Sequence, residues 1–286
     1  MPGPRLIEAY HEGLVAASRS AMLELALALG KYREAIVLVG GWVPCLLVER
    51  YGQGDLQHVG SIDIDLAVDP DKLDPADYAT IVDLIERRGY SIRRARDGQP
   101  IPFSFEKPVP SPFDGQSHGI SVDFLAPCPI EGRARRHRRV QSGLPARVAK
   151  GCSLAFRHNI VVELSGTLPG DGEARCPIRM LDITGCIAMK GIVLGERYME
   201  KDAYDVFSVI GQCLDGPTSV AAEVRPHLDD LDVASGIEGI RSKFRDLRAE
   251  GPSWVATFMS HGDMTERERV VAEAFVTVRR FLDALY

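Results

Sequence analysis

The chain has 286 residues, of which 45% are hydrophobic, and this is sufficient for a substantial core in one large domain or two lobes. Its formal net charge of −6 excludes a protein that coats nucleic acid through overall positive charge, and leaves room only for local basic patches. The six cysteines are scattered without a C-x-x-C pair, so we expect a reducing, cytoplasmic compartment rather than a secreted disulfide framework. The apolar stretch 21–30 is too short and too charged to span a membrane, so no membrane partner is expected.

The first half of the chain alternates between helical and strand-like patterns. Residues 5–30 are predicted to be helical, and the continuous apolar run 35–41 is predicted to be a buried strand that ends in two glycines. Residues 42–52 resemble a short helix. The remaining predicted elements of this half are a strand at 61–68, a helix at 75–89 and strands at 90–96, 101–108 and 119–127.

The second half begins with irregular patterns and becomes helical. Residues 131–143 read as a basic loop, 152–166 as one or two strands, and 167–177 as the hinge between two lobes. From about residue 180 the pattern is helical. We therefore predict an α+β fold, with an α/β lobe over 1–175 that contains a mixed sheet with flanking helices, and a mostly helical lobe over 176–286.

Two carboxylates lie two positions apart in the predicted strand "SIDIDLAV". Asp63 and Asp65 share one face of this strand, and the alternating residues Ile62, Ile64 and Leu66 occupy the other. Two negative charges directed at one point suit a divalent cation, because Mg²⁺ prefers oxygen ligands and takes carboxylates together with substrate phosphates.

A third carboxylate is available from the later apolar strand "SVDFL", which contains Asp123. Three such groups could hold two Mg²⁺ ions that activate an attacking hydroxyl and neutralise a leaving pyrophosphate. The alternative is that all three aspartates lie on a solvated face of the sheet. The preceding Gly40-Gly41 pair favours the metal, since glycines before a helix let the backbone approach a triphosphate closely.

The segments "LVGGW", "HVGSIDIDLAV" and "SVDFL" together resemble the polymerase-β-type nucleotidyltransferase superfamily. The resemblance implies that Gly40, Gly41 and Ser61 contact the triphosphate of an NTP and that Asp63 and Asp65 bind both metals. It also implies that Asp123 binds the catalytic metal and accepts the proton of the attacking hydroxyl. The distance from the glycine pair to Asp63 is longer than in the superfamily, so residues 50–58 read as an insertion.

A second charged segment, 187–210, is predicted as one helix. At ~100° per residue, Lys190, Arg197, Lys201 and Asp205 lie within ~80° of each other, opposite an apolar face. Taken alone, this pattern is typical of a solvated face with ion pairs four residues apart. The segment also resembles the C-terminal motifs of AbiEii-type nucleotidyltransferase toxins. That resemblance implies that Lys190 contacts nucleotide phosphates and Asp205 completes the active site, supported by Lys201 and Asp202.

The basic run "GRARRHRR" concentrates positive charge in an acidic protein. Such a run is often only a solvated loop, but it could hold several phosphates of an RNA acceptor. The arginines concerned are Arg133, Arg135, Arg136, Arg138 and Arg139. Arg93, Arg94 and Arg96 are possible extensions of this patch.

The preferred interpretation is a Mg²⁺-dependent enzyme that transfers an NMP from an NTP to a hydroxyl acceptor. By resemblance, the acceptor is a tRNA 3′ end and the protein is a toxin with a possible antitoxin partner. Three alternatives stay open: an aminoglycoside-type adenylyltransferase, a transferase with a protein acceptor, and a nucleotide-binding module without turnover. The presence of Asp63, Asp65 and Asp123 together argues against the last.

Overall fold

The computed structural model describes residues 6–53, 57–73, 80–128, 137–141, 143–170, 172–260 and 264–286. Its strands are β1 (Ile36–Val39), β2 (Asp63–Val68), β3 (Ser91–Arg94), β4 (Pro100–Pro110), β5 (Ser117–Ala126), β6 (His137–Gln141), β7 (Leu144–Val148), β8 (Asn159–Thr167) and β9 (Glu173–Leu181). Its α-helices are α1 (Glu12–Ala28), α2 (Trp42–Tyr51), α3 (Ile81–Glu86), α4 (Leu154–Arg157), α5 (Ile183–Glu196), α6 (Glu200–Gln212), α7 (Pro217–Val224), α8 (Leu231–Lys243), α9 (Glu250–Met259) and α10 (Met264–Ala284).

The strands form one mixed sheet with the order β3-β4-β5-β2-β1-β9-β8, and β7 pairs with β5 and β6. β2 and β5 run parallel, as do β1 and β9, whereas β1 and β2 run antiparallel. After β9, the described secondary structure is helical throughout. The predicted α+β class, a mixed sheet with flanking helices followed by a helical C-terminal segment, is therefore confirmed.

The chain divides into two compact units that are each assembled from separated segments. The sheet unit comprises His11–Trp42 and Ser61–Leu181, and the helical unit comprises Met1–Tyr10, Val43–Gly60 and Asp182–Tyr286. In the sheet unit, β1 is buried along its whole length, and Ala17, Ala21 and Leu25 of α1 are buried as well. The lobes at 1–175 and 176–286 stay a prediction.

Four sequence-based predictions of local structure are wrong. The segment 167–177 is not a hinge, because Thr167 pairs with Glu173 in the antiparallel ladder of β8 and β9. The basic loop contains β6, and the strand prediction at 152–166 includes the short helix α4. The single helix over 187–210 is interrupted, since Arg197 and Met199 have extended backbone between α5 and α6.

Candidate active site

β2 and β5 bring two of the predicted carboxylates into direct register. Ile64 and Leu66 are buried on one face of β2, which leaves the partly exposed Asp63 and Asp65 on the other. Asp65 lies opposite Asp123 in the parallel pair. Because opposed residues in paired strands point to the same side of the sheet, all three carboxylates project from one face.

Each of the three carboxylates contacts a different neighbouring residue. The Ser121 hydroxyl donates to Asp63 Oδ1 at 2.8 Å, and the Ser104 hydroxyl donates to Asp123 Oδ1 at 2.5 Å. Asp65 extends over the end of β1, where a Cβ built on Gly40 would lie 2.1 Å from its Oδ2. Among the described residues, no three His, Cys, Asp or Glu side chains are gathered closely enough to hold a metal ion.

The donor chemistry nevertheless suits Mg²⁺, which prefers carboxylate oxygens. The strand pairing places the carboxylates on one face of the sheet and in register. To bind an ion, Asp63 and Asp123 would rotate away from the serine hydroxyls to which they are now hydrogen-bonded. The carboxylates therefore fit Mg²⁺ in type and in strand position, but their side chains would have to rotate in order to coordinate it.

Asp123 lies in a partly desolvated setting, near the positive charges of Arg147 and Arg93 and the negative charge of Asp63. Burial raises the pKa of its carboxyl above the usual range, while the Ser104 hydrogen bond and the charges of Arg147 and Arg93 oppose this rise. The Arg147 guanidinium lies 5.6 Å from the centroid of the Phe103 ring. Arg147 Nε is buried and has no hydrogen-bond partner in the part of the chain that the structure describes.

The glycine pair forms the turn between β1 and α2. Gly40 has φ +74°, a backbone conformation that favours glycine, and its missing side chain leaves the space that the Asp65 carboxylate occupies. Gly41 follows directly and α2 begins at Trp42. Ser61 is 6% exposed and lies just before β2. Trp42 packs in the core, and its Nε1 donates to Ser18 Oγ at 3.0 Å.

The helical unit contains a buried ion cluster, which consists of His58, Lys190, Lys201, Asp202 and Asp205, and the exposed Arg197 pairs with Asp202 at its edge. Lys190 Nζ donates to Asp205 Oδ2 at 2.6 Å and to Asp202 Oδ1 at 3.0 Å. Lys201 Nζ donates to Asp205 Oδ1 at 2.7 Å. The Asp205 side chain is fully buried, whereas 12% of the Lys190 side chain is exposed. The alternative of a solvated charged face is therefore wrong for Lys190, Lys201 and Asp205, although Arg197 is exposed.

The charges in this ion cluster depend on one another. Burial alone would raise the pKa of Asp205, but Lys190 and Lys201 outweigh it and hold this pKa well below its ordinary range. Burial would also lower the pKa of Lys190, but Asp205 and Asp202 reverse the effect and raise it. Burial dominates at Lys201, whose pKa is lowered. Burial would raise the pKa of Asp202, but Lys190 and Arg197 outweigh it and lower this pKa, so both carboxylates of the cluster are ionised at neutral pH.

His58 joins the ion cluster in a neutral form. Its Nδ1 accepts from the Gly60 backbone N–H at 3.1 Å, so the ring proton lies on Nε2 and is donated to Asp205 Oδ1 at 3.0 Å. Burial, followed by the charge of Lys201, lowers the pKa of His58 to about 4. No helical or strand spacing in the sequence links this histidine to Asp205, because the two residues are 147 positions apart.

The basic run is only partly described. Arg133, Arg135 and Arg136 lie outside the described residues. Arg138 and Arg139 lie on β6, where Arg139 is exposed and an Arg138 terminal nitrogen is 3.8 Å from an Asp71 carboxylate oxygen. Within this run, the His137 ring lies near the Phe103 ring, with a centroid distance of 5.4 Å and a tilt of 31°. Aromatic and basic groups thus occur together on strands β4, β6 and β7.

The predicted site residues are distributed over both units. Gly40, Gly41, Ser61, Asp63, Asp65 and Asp123 belong to the sheet unit, and Lys190, Lys201 and Asp205 belong to the helical unit. Sequence reasoning missed Ser104, Ser121, Phe103 and Arg147. Serine in a strand carries no distinctive signal, and only the register of β4 with β5 reveals that Ser104 faces Asp123. No helix among the described residues is both long and apolar enough to cross a membrane.

No family model and no curated protein matches the sequence. Among solved structures, the chain is similar to an antigenic nucleotidyltransferase-like protein from Paracoccidioides brasiliensis, with a TM-score of 0.43 and 11% sequence identity. The match covers 85% of this chain and 94% of that chain. A similarity at that level assigns no residue roles, so the functional argument depends on the carboxylates and glycines described above.

Proposed function

We propose that the chain is a Mg²⁺-dependent nucleotidyltransferase that moves an NMP from an NTP to a hydroxyl acceptor. The observation that carries the proposal is the register of Asp65 with Asp123 on parallel strands, next to the Gly40 turn. This arrangement supports the motif resemblance, because it gives the three acidic residues one face and places a glycine turn against one of them.

Each residue has a defined role in the proposed reaction. The acceptor hydroxyl oxygen attacks the α-phosphorus of the NTP, the bond from that phosphorus to the pyrophosphate oxygen breaks, and the hydroxyl proton passes to Asp123. Asp63 and Asp65 would hold two Mg²⁺ ions and Asp123 one of them, and these ions supply charge neutralisation for the phosphates. Gly40, Gly41 and Ser61 would contact the triphosphate. By the resemblance to AbiEii-type toxins, Lys190 would contact the nucleotide phosphates, with support from Lys201. Asp205 would complete the active site.

The acceptor in this proposal is a polyanion, with a tRNA 3′ end as the preferred candidate. Arg93 and Arg147 both act on Asp123 electrostatically, and the Phe103 ring lies close to both the Arg147 guanidinium and the His137 ring. Positive charge beside an aromatic ring suits a nucleic-acid strand, whose bases stack and whose phosphates pair with arginine. The same positive charge would repel a polycationic aminoglycoside and so disfavours that acceptor. A role as a toxin with an antitoxin partner belongs to the same proposal.

The test uses the intact protein with each α-³²P-labelled NTP, Mg²⁺ and total RNA. We expect label on RNA, and a loss of at least ~100-fold in rate for Asp65→Asn, because the charge that acts on the transition state is removed. Asp69→Asn, a matched change just beyond the end of β2, should keep the rate within about twofold. Retained NTP binding without transfer to RNA, an aminoglycoside or protein would contradict the enzyme and favour the non-catalytic module.

The polyanion acceptor has its own test. We expect Arg147→Gln to weaken RNA binding and to reduce the slope of log affinity against log salt by about one, as for the loss of one phosphate contact. Arg175→Gln, which removes an exposed arginine from β9, is the matched control and should leave the slope unchanged. An unchanged slope in Arg147→Gln, or faster label transfer to an aminoglycoside than to RNA, would contradict this acceptor.

A further inference from the structure

A small apolar cavity lies within the sheet unit between α1 and the sheet. Its volume is about 50 Å³. Its apolar wall includes Met22, Leu25 and Leu29 of α1, Leu38 of β1, and Ile64 and Leu66 of β2. Since a volume of ~10–15 Å³ on this scale admits one water, the cavity has room for a short hydrocarbon group.

A polar vestibule adjoins this cavity. It has a volume of about 130 Å³, and its wall includes Arg33, Glu34, Val161 and Arg179. Arg33 and Arg179, together with Pro177 and Ile178, line both spaces. The two spaces are therefore contiguous, with an apolar inner part and a charged outer part.

The guanidinium of Arg179 is held in place by two of its three nitrogens. Nη1 donates to Asn159 Oδ1 at 2.8 Å, and Nη2 donates to Glu34 Oε2 at 2.5 Å. Nε is buried and has no hydrogen-bond partner within the described ranges. A buried donor without a partner is costly, so the Arg179 guanidinium retains an unused donor.

The charge of the vestibule suits an anion. Arg33 and Arg179 contribute two positive charges and Glu34 one negative charge. The Arg33 side chain is 65% exposed and its Nε lies 3.8 Å from Glu34 Oε1, so a ligand carboxylate at the mouth would share Arg33 with Glu34. Arginine presents its donors in a planar fork that matches the two oxygens of a carboxylate.

We propose that this cavity and vestibule bind a short aliphatic carboxylate. The hydrocarbon chain, of about four to six carbons given the space, occupies the cavity against Leu38, Ile64 and Leu66. The carboxylate group lies in the vestibule between Arg33 and Arg179. The site lies on the opposite face of β2 from Asp63 and Asp65, so it is separate from the proposed active site and does not depend on that function.

The test is a titration of the full chain with sodium hexanoate, followed by NMR of ¹³C-labelled isoleucine and leucine methyl groups. We expect saturable shifts at Ile64 and Leu66. Acetate has no chain to fill the cavity and hexanol has no carboxylate, so each should bind at least ~10-fold more weakly. Equal binding of hexanol, or no saturable shift with hexanoate, would overturn the proposal.

Two pairs of variants locate the site. Ala26→Phe places a ring in the cavity and should abolish hexanoate binding, whereas Ala28→Phe is the same change two residues along α1, at a position that does not line the cavity. Arg33→Gln should weaken binding at least ~3-fold, and it should leave the fold intact because this side chain is exposed. The methyl spectrum of each variant establishes folding independently. Unchanged affinity in a folded Ala26→Phe protein would overturn the assignment.

Discussion

At the scale of single residues, Gly40 and Asp65 constrain each other. Gly40 has φ +74°, and its hydrogen in place of a side chain leaves room for the Asp65 carboxylate. An alanine here would require both a strained backbone and a displaced carboxylate, since its Cβ would be 2.1 Å from Asp65 Oδ2. Glycine at this position therefore permits both the backbone conformation of the turn and the observed placement of the Asp65 carboxylate.

We expect Gly40→Ala to displace Asp65 and to reduce NMP transfer at least ~100-fold. The matched control is Gly98→Ala, where φ is +82° but nothing lies within 4 Å of the added Cβ. Both variants should lose about 1–2 kcal/mol of stability from backbone strain, measured by urea unfolding. Only Gly40→Ala should lose activity, and a crystal structure of this variant should show the moved carboxylate. Similar activities in the two variants would contradict the steric argument.

The sequence predicted which carboxylates share a face but not how their side chains are held. Alternation along β2 places Asp63 and Asp65 together, and this needs only local spacing. The pairing of Asp65 with Asp123 needs strand order, and the bond from Ser104 to Asp123 needs the register of two more strands. Each of these steps depends on contacts distant in sequence, which a local pattern does not contain.

At the scale of elements, the interruption between α5 and α6 creates the buried ion cluster. In a continuous helix, Lys190 and Asp202 would be separated by more than three helical turns, so their side chains could not meet. The extended backbone at Arg197 and Met199 turns the chain, so that Lys190 Nζ reaches both Asp202 and Asp205. Helical spacing alone suggested an exposed face, because it contains no information about the turn.

A second feature of α5 is its close approach to α8. A Cβ on Gly191 would lie 2.1 Å from the Gly236 carbonyl oxygen, and one on Gly236 would lie 2.3 Å from the Ala188 carbonyl oxygen. The two helix backbones therefore touch without intervening side chains. Gly195, one turn further along α5, has more space, since its added Cβ would be 3.4 Å from Gly239 Cα.

We expect Gly191→Ala to destabilise the protein by about 3 kcal/mol, because overpacking here forces two helix backbones apart. Gly195→Ala should be neutral or stabilising by up to about 1 kcal/mol, since alanine has a higher helix propensity than glycine. Urea unfolding of both variants measures the difference. A Gly191→Ala protein as stable as Gly195→Ala would show that α5 and α8 are not in backbone contact.

At the scale of the whole molecule, neither compact unit is continuous in sequence. The sheet unit is interrupted by Val43–Gly60, and β1 pairs with both β2 and the distant β9. Local hydrophobic patterns identified most of these strands and the α+β class. They could not give the order of the sheet, because pairing between distant segments is decided by the packing of the complete fold.

The dependence of global stability on pH should report on His58. Its pKa is about 4 in the folded protein and near 6.5 in an unfolded chain, so between these values the unfolded state binds a proton that the folded state does not. The free energy of unfolding therefore falls as the pH decreases from 6.5 to 4, by about 3 kcal/mol from this group. Asp205, whose pKa is lowered by folding, adds a further loss only below its unfolded pKa of about 4.

The variant His58→Gln keeps a donor for Asp205 and removes the titrating ring, so its stability should change less between pH 6.5 and 4 than that of the parent. Urea unfolding at half-unit intervals measures this slope. His227→Gln, which removes an exposed histidine, should reproduce the parent curve. If His58→Gln and the parent lose stability equally over this window, His58 is not held neutral by its burial and by the charge of Lys201, and the buried ion cluster must be charged differently from the arrangement described.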